Sequence, residues 1–500
     1  MSAAETRRKQ SAAKPPMRTG AQFLDAIAED GRHVYFDGEM VRDVTAHPGF
    51  RGAARSMAWL YDVAADPANR ELMTFASPAT GGPVLRCYHI PKTAADLASR
   101  RAMSARWAEE TFGLMGRTPD HVAGFLAGYA AKPSVFAEAG PHYARNLVRY
   151  HEYARDNHLY LSYAIVPPQI DRSMPAHKQS DPTLYAGVVA ERDGGIVLKG
   201  AQQLGTGSVF CDAIYISCIH PLAPGDEAYA FAVAVPANAP GLKIYPRRPY
   251  AAGANSAFDY PLSSRFDETD ALIVLDDVFV PWENVFCYRN LQLVRDQWWR
   301  TPSHSYGNHQ AQVRYAAKLR FLMGLTKRMC EITGNDAMPP VQIMLGEMAA
   351  FATIVDCMVE AQETQATIDA EGVVWPSKQA LYAVMALQSE INPRLLNTAR
   401  ELAGGSLIML PSTVKDFDNP EIAADFERYI ASPGFPSRVR TAILKLVWDL
   451  IGTEFAGRHE QYEKFYGGAS FLVKQNMARA YDFSAAGRMV DRALALPPEV

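Results

Sequence analysis

The hydrophobic period of this chain changes twice along its length, and that constrains the fold more than any other feature. Up to the region of Tyr160 most apolar residues recur at helical spacing. Short runs rich in Val, Ile, Tyr and Phe follow, punctuated by Gly, Pro, Asp and Asn. From about Gln310 the helical spacing returns and holds to the end. The first part predicts helices over 22–29 (capped by Thr19), 94–115 (stopped by Gly116), 122–130 and 141–157. It also predicts a strand pair at 34–36 and 40–44 around the turn Asp37-Gly38. The middle part predicts strands over 185–191, 195–199, 213–219, 228–235, 242–246 and 271–280, enough for a small barrel or sandwich. The last part predicts helices over 310–334, 341–370, 377–403, 422–430, 437–455 and 470–495, with Gly404-Gly405 ending one of them. Long amphipathic helices joined by short loops make a bundle. The expected class is α+β, in four stretches: a flexible basic tail over 1–18, a helical domain over 19–158, a β domain over 159–290, and a helical bundle with its tail over 291–500.

Composition narrows the function classes. Hydrophobic residues are 48% and charged residues 21% of 500, which excludes bulk disorder. A net charge of −4 provides no strong field for nucleic acid or an anionic membrane, and no run of 18 apolar residues suits a bilayer span. The basic start could be a transit peptide by composition; a frayed tail is the expectation. The six cysteines, Cys87, Cys211, Cys218, Cys287, Cys330 and Cys357, form no CxxC pair. Reduced thiols in a cytoplasmic protein are therefore expected, with no cysteine-bound metal. The chain has neither G-x-G-x-x-G nor G-x-x-x-x-G-K-[ST], so a Rossmann or P-loop nucleotide site has no support.

Several segments could carry chemistry. In GLMGRTPDH (113–121), Pro119 stiffens the backbone between Arg117 and His121. Arginine offers fixed donors to an anionic oxygen, and histidine exchanges a proton near neutral pH. A capped turn with a surface Arg–Asp pair is the alternative. In LSYAIVPPQIDR (161–172) the paired prolines force an extended chain that could present amides, Gln169 and Arg172 to a planar heterocycle, or could simply link domains. GAQQLGTGS (200–208) is either a phosphate cradle or a wide hairpin turn. HSYGNH places His304 and His309 five apart, which is no familiar metal spacing, and no metal site is expected. FDYPLSSRFDE (258–268) and DDVFVPWENVF (276–286) read as a strand with a tight exit. GRHEQYEKFYGG (457–468) reads as a pocket wall or a packed helix end.

Taken together, these segments resemble the two-component, FADH2-dependent phenol and chlorophenol monooxygenases, the family of the 4-hydroxyphenylacetate 3-monooxygenase oxygenase component. They occur in the family's order and span roughly residues 20 to 480. The resemblance implies an acyl-CoA-dehydrogenase-like fold: helical domain, β domain, then a four-helix bundle. It implies FAD as cofactor, reduced by a separate NAD(P)H:flavin reductase, and O2 as co-substrate. The flavin C4a-hydroperoxide would then hydroxylate a small phenolic ring, ortho to its hydroxyl or with displacement of a substituent. It also implies a homotetramer. By position, Arg117, His121 and His304 would be catalytic; Arg117, His121, Tyr163, Cys218, Phe465 and Tyr466 would meet the substrate. Gln169, Ile170, Asp171, Arg172, Thr206, Arg458, Tyr462, Gly468 and Ser470 would meet the flavin. Two positions depart from the 4-hydroxyphenylacetate pattern: His121 stands where those enzymes have tyrosine, and Tyr163 where they have histidine. A chloro-, nitro- or amino-substituted phenol, or a tethered tyrosine-like ring, is an equal expectation. The alternative is an acyl-CoA-dehydrogenase-like flavoenzyme or a dehydratase acting on a CoA thioester. The dehydratase would need cluster cysteines near Arg117, and none lies between Cys87 and Cys211.

Overall fold

A computed structural model describes residues 16–254 and 256–495. Most of the tail expected over 1–18 lies outside the described residues. Arg18, inside it, is anchored: its guanidinium binds both oxygens of Asp212 at 2.7 and 3.0 Å and lies 5.2 Å from the Phe23 ring centroid. Two compact units divide the chain. One comprises residues up to Lys92, Ser99–Ala254 and Ser263–Gln310; the other comprises Thr93–Ala98, the segment ending at Leu262, and everything from Ala311 onward.

The first unit holds the two large sheets. Its six-stranded sheet runs Glu39–Val41, His33–Phe36, Leu242–Pro246, Ala271–Pro281, Gly195–Gln202, Gly187–Arg192. The N-terminal hairpin thus joins the later strands, with Val34 opposite Ile244 in a parallel pair. That pairing is why the expected helical and β domains form a single unit. Ala271–Pro281 alternates buried and exposed residues until Asp276 and Asp277, both exposed, form a β-bulge. The four-stranded sheet runs Val285–Tyr288, Phe231–Pro236, Ala213–Ser217, Leu161–Ala164. Phe231 to Val235 and all of Ala213–Ser217 are buried, as expected of central strands covered on both faces.

Helix starts follow their caps. The Thr19 hydroxyl accepts from the Gln22 amide, and the Gln22 side chain accepts from the Thr19 amide, starting Gly20–Ala28 with a capping box. The helix expected over 94–115 ends at Glu110, because Phe112 and Gly113 turn at φ 53° and 67°. A helix not expected from sequence, Arg51–Ala65, buries Ala53, Ala54, Met57, Leu60, Tyr61 and Ala64. Its stripe is built largely of alanine, which carries little hydrophobic signal.

In the second unit Pro339–Thr364 packs along Lys378–Ala403, which also receives Glu454–Phe465 and Ser470–Ala480. Pro339–Thr364 is long and apolar enough to cross a bilayer by length and composition. Its buried residues Val341, Leu345, Met348, Ala352, Val355 and Val359 alternate steps of four and three, the seam of a helix packed on another helix. The helix expected over 437–455 breaks at Gly452 into Ser437–Ile451 and Glu454–Phe465, where Thr453 caps the second piece. That expected over 470–495 breaks before Asp482, which caps Phe483–Leu494. All six cysteines are free thiols, and Cys357 alone is exposed.

Candidate active site

Arg117 precedes the helix Pro119–Ala131, which has proline in its first turn and Pro119 to Ala130 all buried. Its backbone is held from both sides. The Arg117 amide donates to Glu268 Oε2 at 2.8 Å, and its carbonyl accepts from the Tyr160 hydroxyl at 2.6 Å. Burial pushes the Tyr160 hydroxyl well above its ordinary pKa, so it remains a donor. The Arg117 guanidinium lies 5.4 Å from the ring centroid of Tyr163, on the strand Leu161–Ala164. His121, one helical turn on, lies 5.6 Å from the same ring and 5.3 Å from Phe125. The structure therefore brings Arg117, Tyr163 and His121 side by side.

The tautomer of His121 follows from its partners. Gln310 Nε2 donates to Asp120 Oδ1 at 3.0 Å, which turns Gln310 Oε1 toward His121 Nδ1 at 2.9 Å. An amide oxygen only accepts, so Nδ1 carries a proton and Nε2 is the basic site of the neutral ring. Asp120 in turn accepts from the Thr118 hydroxyl at 2.5 Å, and burial pushes its carboxyl above the ordinary range. Gln310 reaches His121 because small residues let two helices meet. A Cβ on Gly307 would lie 1.9 Å from the Phe125 ring, and one on Gly128 would lie 2.3 Å from Ser303 Cα.

His304 lies within the first turn of the helix Ser303–Thr333, which starts seven residues before the expected helix over 310–334. The stretch before residue 310 that carries His304 is therefore helical, and the His304 ring packs 4.7 Å from Trp299. Tyr163 also lines a small apolar cavity, with Val122, Phe125, Tyr129, Leu161 and Trp298 among others. Cys218 sits past the strand Ala213–Ser217, with Sγ 3.7 Å from the His220 carbonyl, and burial pushes its thiol to about 12.

Residues 204–208 form a tight turn. Leu204 and Gly207 adopt φ 61° and 75°, and a Cβ on Gly207 would lie 2.1 Å from the Tyr160 hydroxyl. The Thr206 hydroxyl donates to Asp270 Oδ1 at 2.7 Å, and its carbonyl accepts from Ser162, the neighbour of Tyr163, at 2.8 Å. Segment 267–270, at the end of the stretch expected to be a strand with a tight exit, is therefore a hub. Asp267 binds Arg247, Glu268 holds the Arg117 amide, and Asp270 holds Thr206. The residues missed are Asp120, Gln310, Glu268 and Asp270. The run of three acids in Asp267-Glu268-Thr269-Asp270 was the available signal for two of them.

Gln169, Ile170, Asp171 and Arg172 are exposed on the segment after Leu161–Ala164. The Ser173 hydroxyl and amide donate to Asp171 and hold its carboxyl below the ordinary range. Arg458, Tyr462, Phe465, Tyr466, Gly468 and Ser470 belong to the second unit. There Tyr462 lies 4.7 Å from the Arg458 guanidinium and 5.3 Å from that of Arg314, and it stacks on Tyr466 at 6.0 Å. Phe465 is exposed, and Gly468 turns the chain at φ 102° before the helix that starts at Ser470. Among the described residues no group of three or more His, Cys, Asp or Glu is placed to hold a metal ion.

Comparison with known proteins gives a family over nearly the whole chain. Residues 19–287 match the family described as 4-hydroxyphenylacetate 3-hydroxylase N terminal, and residues 294–495 match the corresponding C terminal family. The 4-hydroxyphenylacetate 3-monooxygenase oxygenase component of Pseudomonas aeruginosa is 36% identical over 92% of this chain and 88% of its own length. A Streptomyces globisporus monooxygenase is also 36% identical, over 92% of this chain and 86% of its own length. Its name gives as substrate a (3S)-3-amino-3-(3-chloro-4-hydroxyphenyl)propanoyl group on a peptidyl-carrier protein. A crystal structure of the 4-hydroxyphenylacetate 3-monooxygenase oxygenase component with FAD and 4-hydroxyphenylacetate superposes with a TM-score of 0.90. It is 32% identical, covering 96% of this chain and 98% of that one. The fold is of the expected α+β class, and the chain belongs to the 4-hydroxyphenylacetate 3-hydroxylase family.

Proposed function

We propose that this chain is the oxygenase component of a two-component flavin monooxygenase that hydroxylates a phenolic ring ortho to its hydroxyl. Reduced FAD comes from a separate NAD(P)H:flavin reductase and reaches the site by diffusion. The observation that carries the reading is the cluster of Arg117, Tyr163 and His121, with the histidine tautomer fixed through Gln310. Ring hydroxylation needs an electron-rich ring, and a phenolate is richer than a phenol. A guanidinium beside the phenol oxygen favours the ionised form. His121 Nε2 takes the phenolic proton while Nδ1–H stays on Gln310, and Tyr163 orients the ring. The apolar cavity lined by Phe125, Leu161 and Trp298 keeps water from the ring's far side.

The residues present fit FAD by their polar groups: the exposed Gln169 amide and the Arg172 guanidinium offer donors, and the Thr206 hydroxyl, whose proton goes to Asp270, offers an acceptor, to a heterocycle edged with N–H and C=O groups. Bound reduced FAD supplies the activation of O2. The second unit's Arg458, Tyr462, Gly468 and Ser470 carry a flavin assignment by the family resemblance alone. With histidine and tyrosine exchanged at 121 and 163, a substituted phenol or a ring carried on a larger group is favoured over 4-hydroxyphenylacetate. A panel of such phenols, incubated with photoreduced FAD and O2, should give one product heavier by one oxygen, or by one oxygen less the displaced substituent. If every phenol is returned unchanged while O2 is consumed, the reading is wrong.

Exposed apolar side chains in the second unit, Ile408 (80%), Phe471 (70%) and Leu494 (80%), support assembly as a homotetramer, a dimer of dimers. Light scattering should give four times the 55.1 kDa chain mass, and a monomer at micromolar concentration would refute the assembly. A cytoplasmic location fits the reduced thiols.

A further inference from the structure

We infer that Asp270 is a positioning residue that makes the Thr206 hydroxyl a hydrogen-bond acceptor toward bound flavin, and that this selects the reduced cofactor. The inference rests on the proposed function, in which Thr206 meets the flavin. Thr206 is 7% exposed, and its Oγ1 lies 2.7 Å from Asp270 Oδ1. The other oxygen of Asp270 accepts from Arg247 Nε at 2.9 Å, and the Asp270 backbone carbonyl accepts from the Arg247 amide at 2.8 Å. Arg247 is itself fixed by Asp267, which takes its second nitrogen at 2.6 Å.

A carboxylate in an ion pair has no proton to give, so between Thr206 and Asp270 the hydroxyl must donate. Its one proton is then committed, and only lone pairs remain for a ligand. Flavin changes its edge on reduction: N5 is a bare acceptor in the oxidised ring and an N–H donor in the reduced ring. We place the Thr206 hydroxyl against N5, where an accepting hydroxyl matches the reduced form and opposes the oxidised form lone pair to lone pair. A diffusing cofactor needs this discrimination, because the spent oxidised form must leave.

Asp270→Asn reverses the polarity with little change of shape. Arg247 Nε–H claims the new amide oxygen, so the amide NH2 faces Thr206 and the hydroxyl can donate outward. Anaerobic titration with photoreduced and oxidised FAD reads the ratio of the two dissociation constants, and the potential of bound FAD reads it independently. The parent protein should prefer reduced FAD. Asp270→Asn and Thr206→Val should each lower that preference at least tenfold, equal to about 30 mV for a two-electron couple, and the bound potential should fall accordingly. Thr206→Ser, which keeps the hydroxyl, should retain the preference even if Asp270→Asn folds poorly. A parent preference that Thr206→Val leaves unchanged within twofold overturns the inference and spares the proposed function. A parent protein with equal affinity for both forms overturns the cofactor assignment and this inference with it.

Discussion

Glu463→Gln should cost about 3–5 kcal/mol of stability, whereas Lys318→Met in the same cluster should cost within about 1 kcal/mol. Arg314 grips both oxygens of Glu463, at 2.5 and 2.8 Å. Lys318 adds a contact at 2.9 Å and Gln388 another at 2.6 Å. All three charged side chains are at most 5% exposed, so two cations share one buried carboxylate. Removing the carboxylate leaves two buried positive charges with no counter-ion; removing the lysine leaves a neutral bidentate pair. Burial alone would raise the Glu463 carboxyl, but the Arg314 and Lys318 charges and hydrogen bonds hold it down at about 2. Its folded pKa therefore lies below the ordinary value of 4.5. The contribution, on the order of 3 kcal/mol, is complete above pH 4.5 and lost as pH falls toward 2. Urea midpoints for the parent and Glu463→Gln should differ most at pH 6 to 7 and converge toward pH 2.5. A gap below 1 kcal/mol at pH 7, or one that does not narrow in acid, would show that Glu463 is not the ionised centre of the cluster.

The order of helices, strands and helices was legible because period and turn residues are local signals, and so was the Thr19 cap. What was missed has physical causes. Leu161–Ala164 and Val285–Tyr288 are four residues each, too short for alternation to register. The start at Ser303 was hidden by Gly307, which reads as a helix breaker but is present to admit the Phe125 ring. At the site, Arg117, His121 and Tyr163 were legible from motif and order alone. Their supports were not: Glu268 lies 151 residues from Arg117, and Gln310 lies 189 from His121. No local pattern links such pairs, and only the folded chain shows that an acidic strand entry and a helical glutamine orient the two basic residues.

Arg117→Ala should slow hydroxylation about ten- to a hundred-fold, because it removes a charged hydrogen bond worth roughly 1.5–3 kcal/mol to the phenol oxygen. The loss should shrink for nitrophenols, whose oxygen ionises without help, and this separates phenolate stabilisation from a general collapse of the site. His121→Asn and His304→Ala, run in parallel, distinguish the two candidate bases. The family resemblance favours His304 as base, with His121 the runner-up, since a neutral imidazole accepts a phenolic proton near pH 7. The structure favours His121, because Gln310 and Asp120 fix its tautomer while Tyr163 and Phe125 fix its ring. His121→Asn should therefore uncouple the reaction, with O2 consumed and phenol returned, and recovery should come above the pKa of the free phenol, where no base is needed. Gln310→Leu should show the same shift in pH profile more weakly, since it frees the tautomer but leaves the ring. The tilted packing of His304 against Trp299 predicts only a modest loss for His304→Ala. Full coupling in His121→Asn from pH 6 to 9, with coupling lost in His304→Ala, would return the role of base to His304.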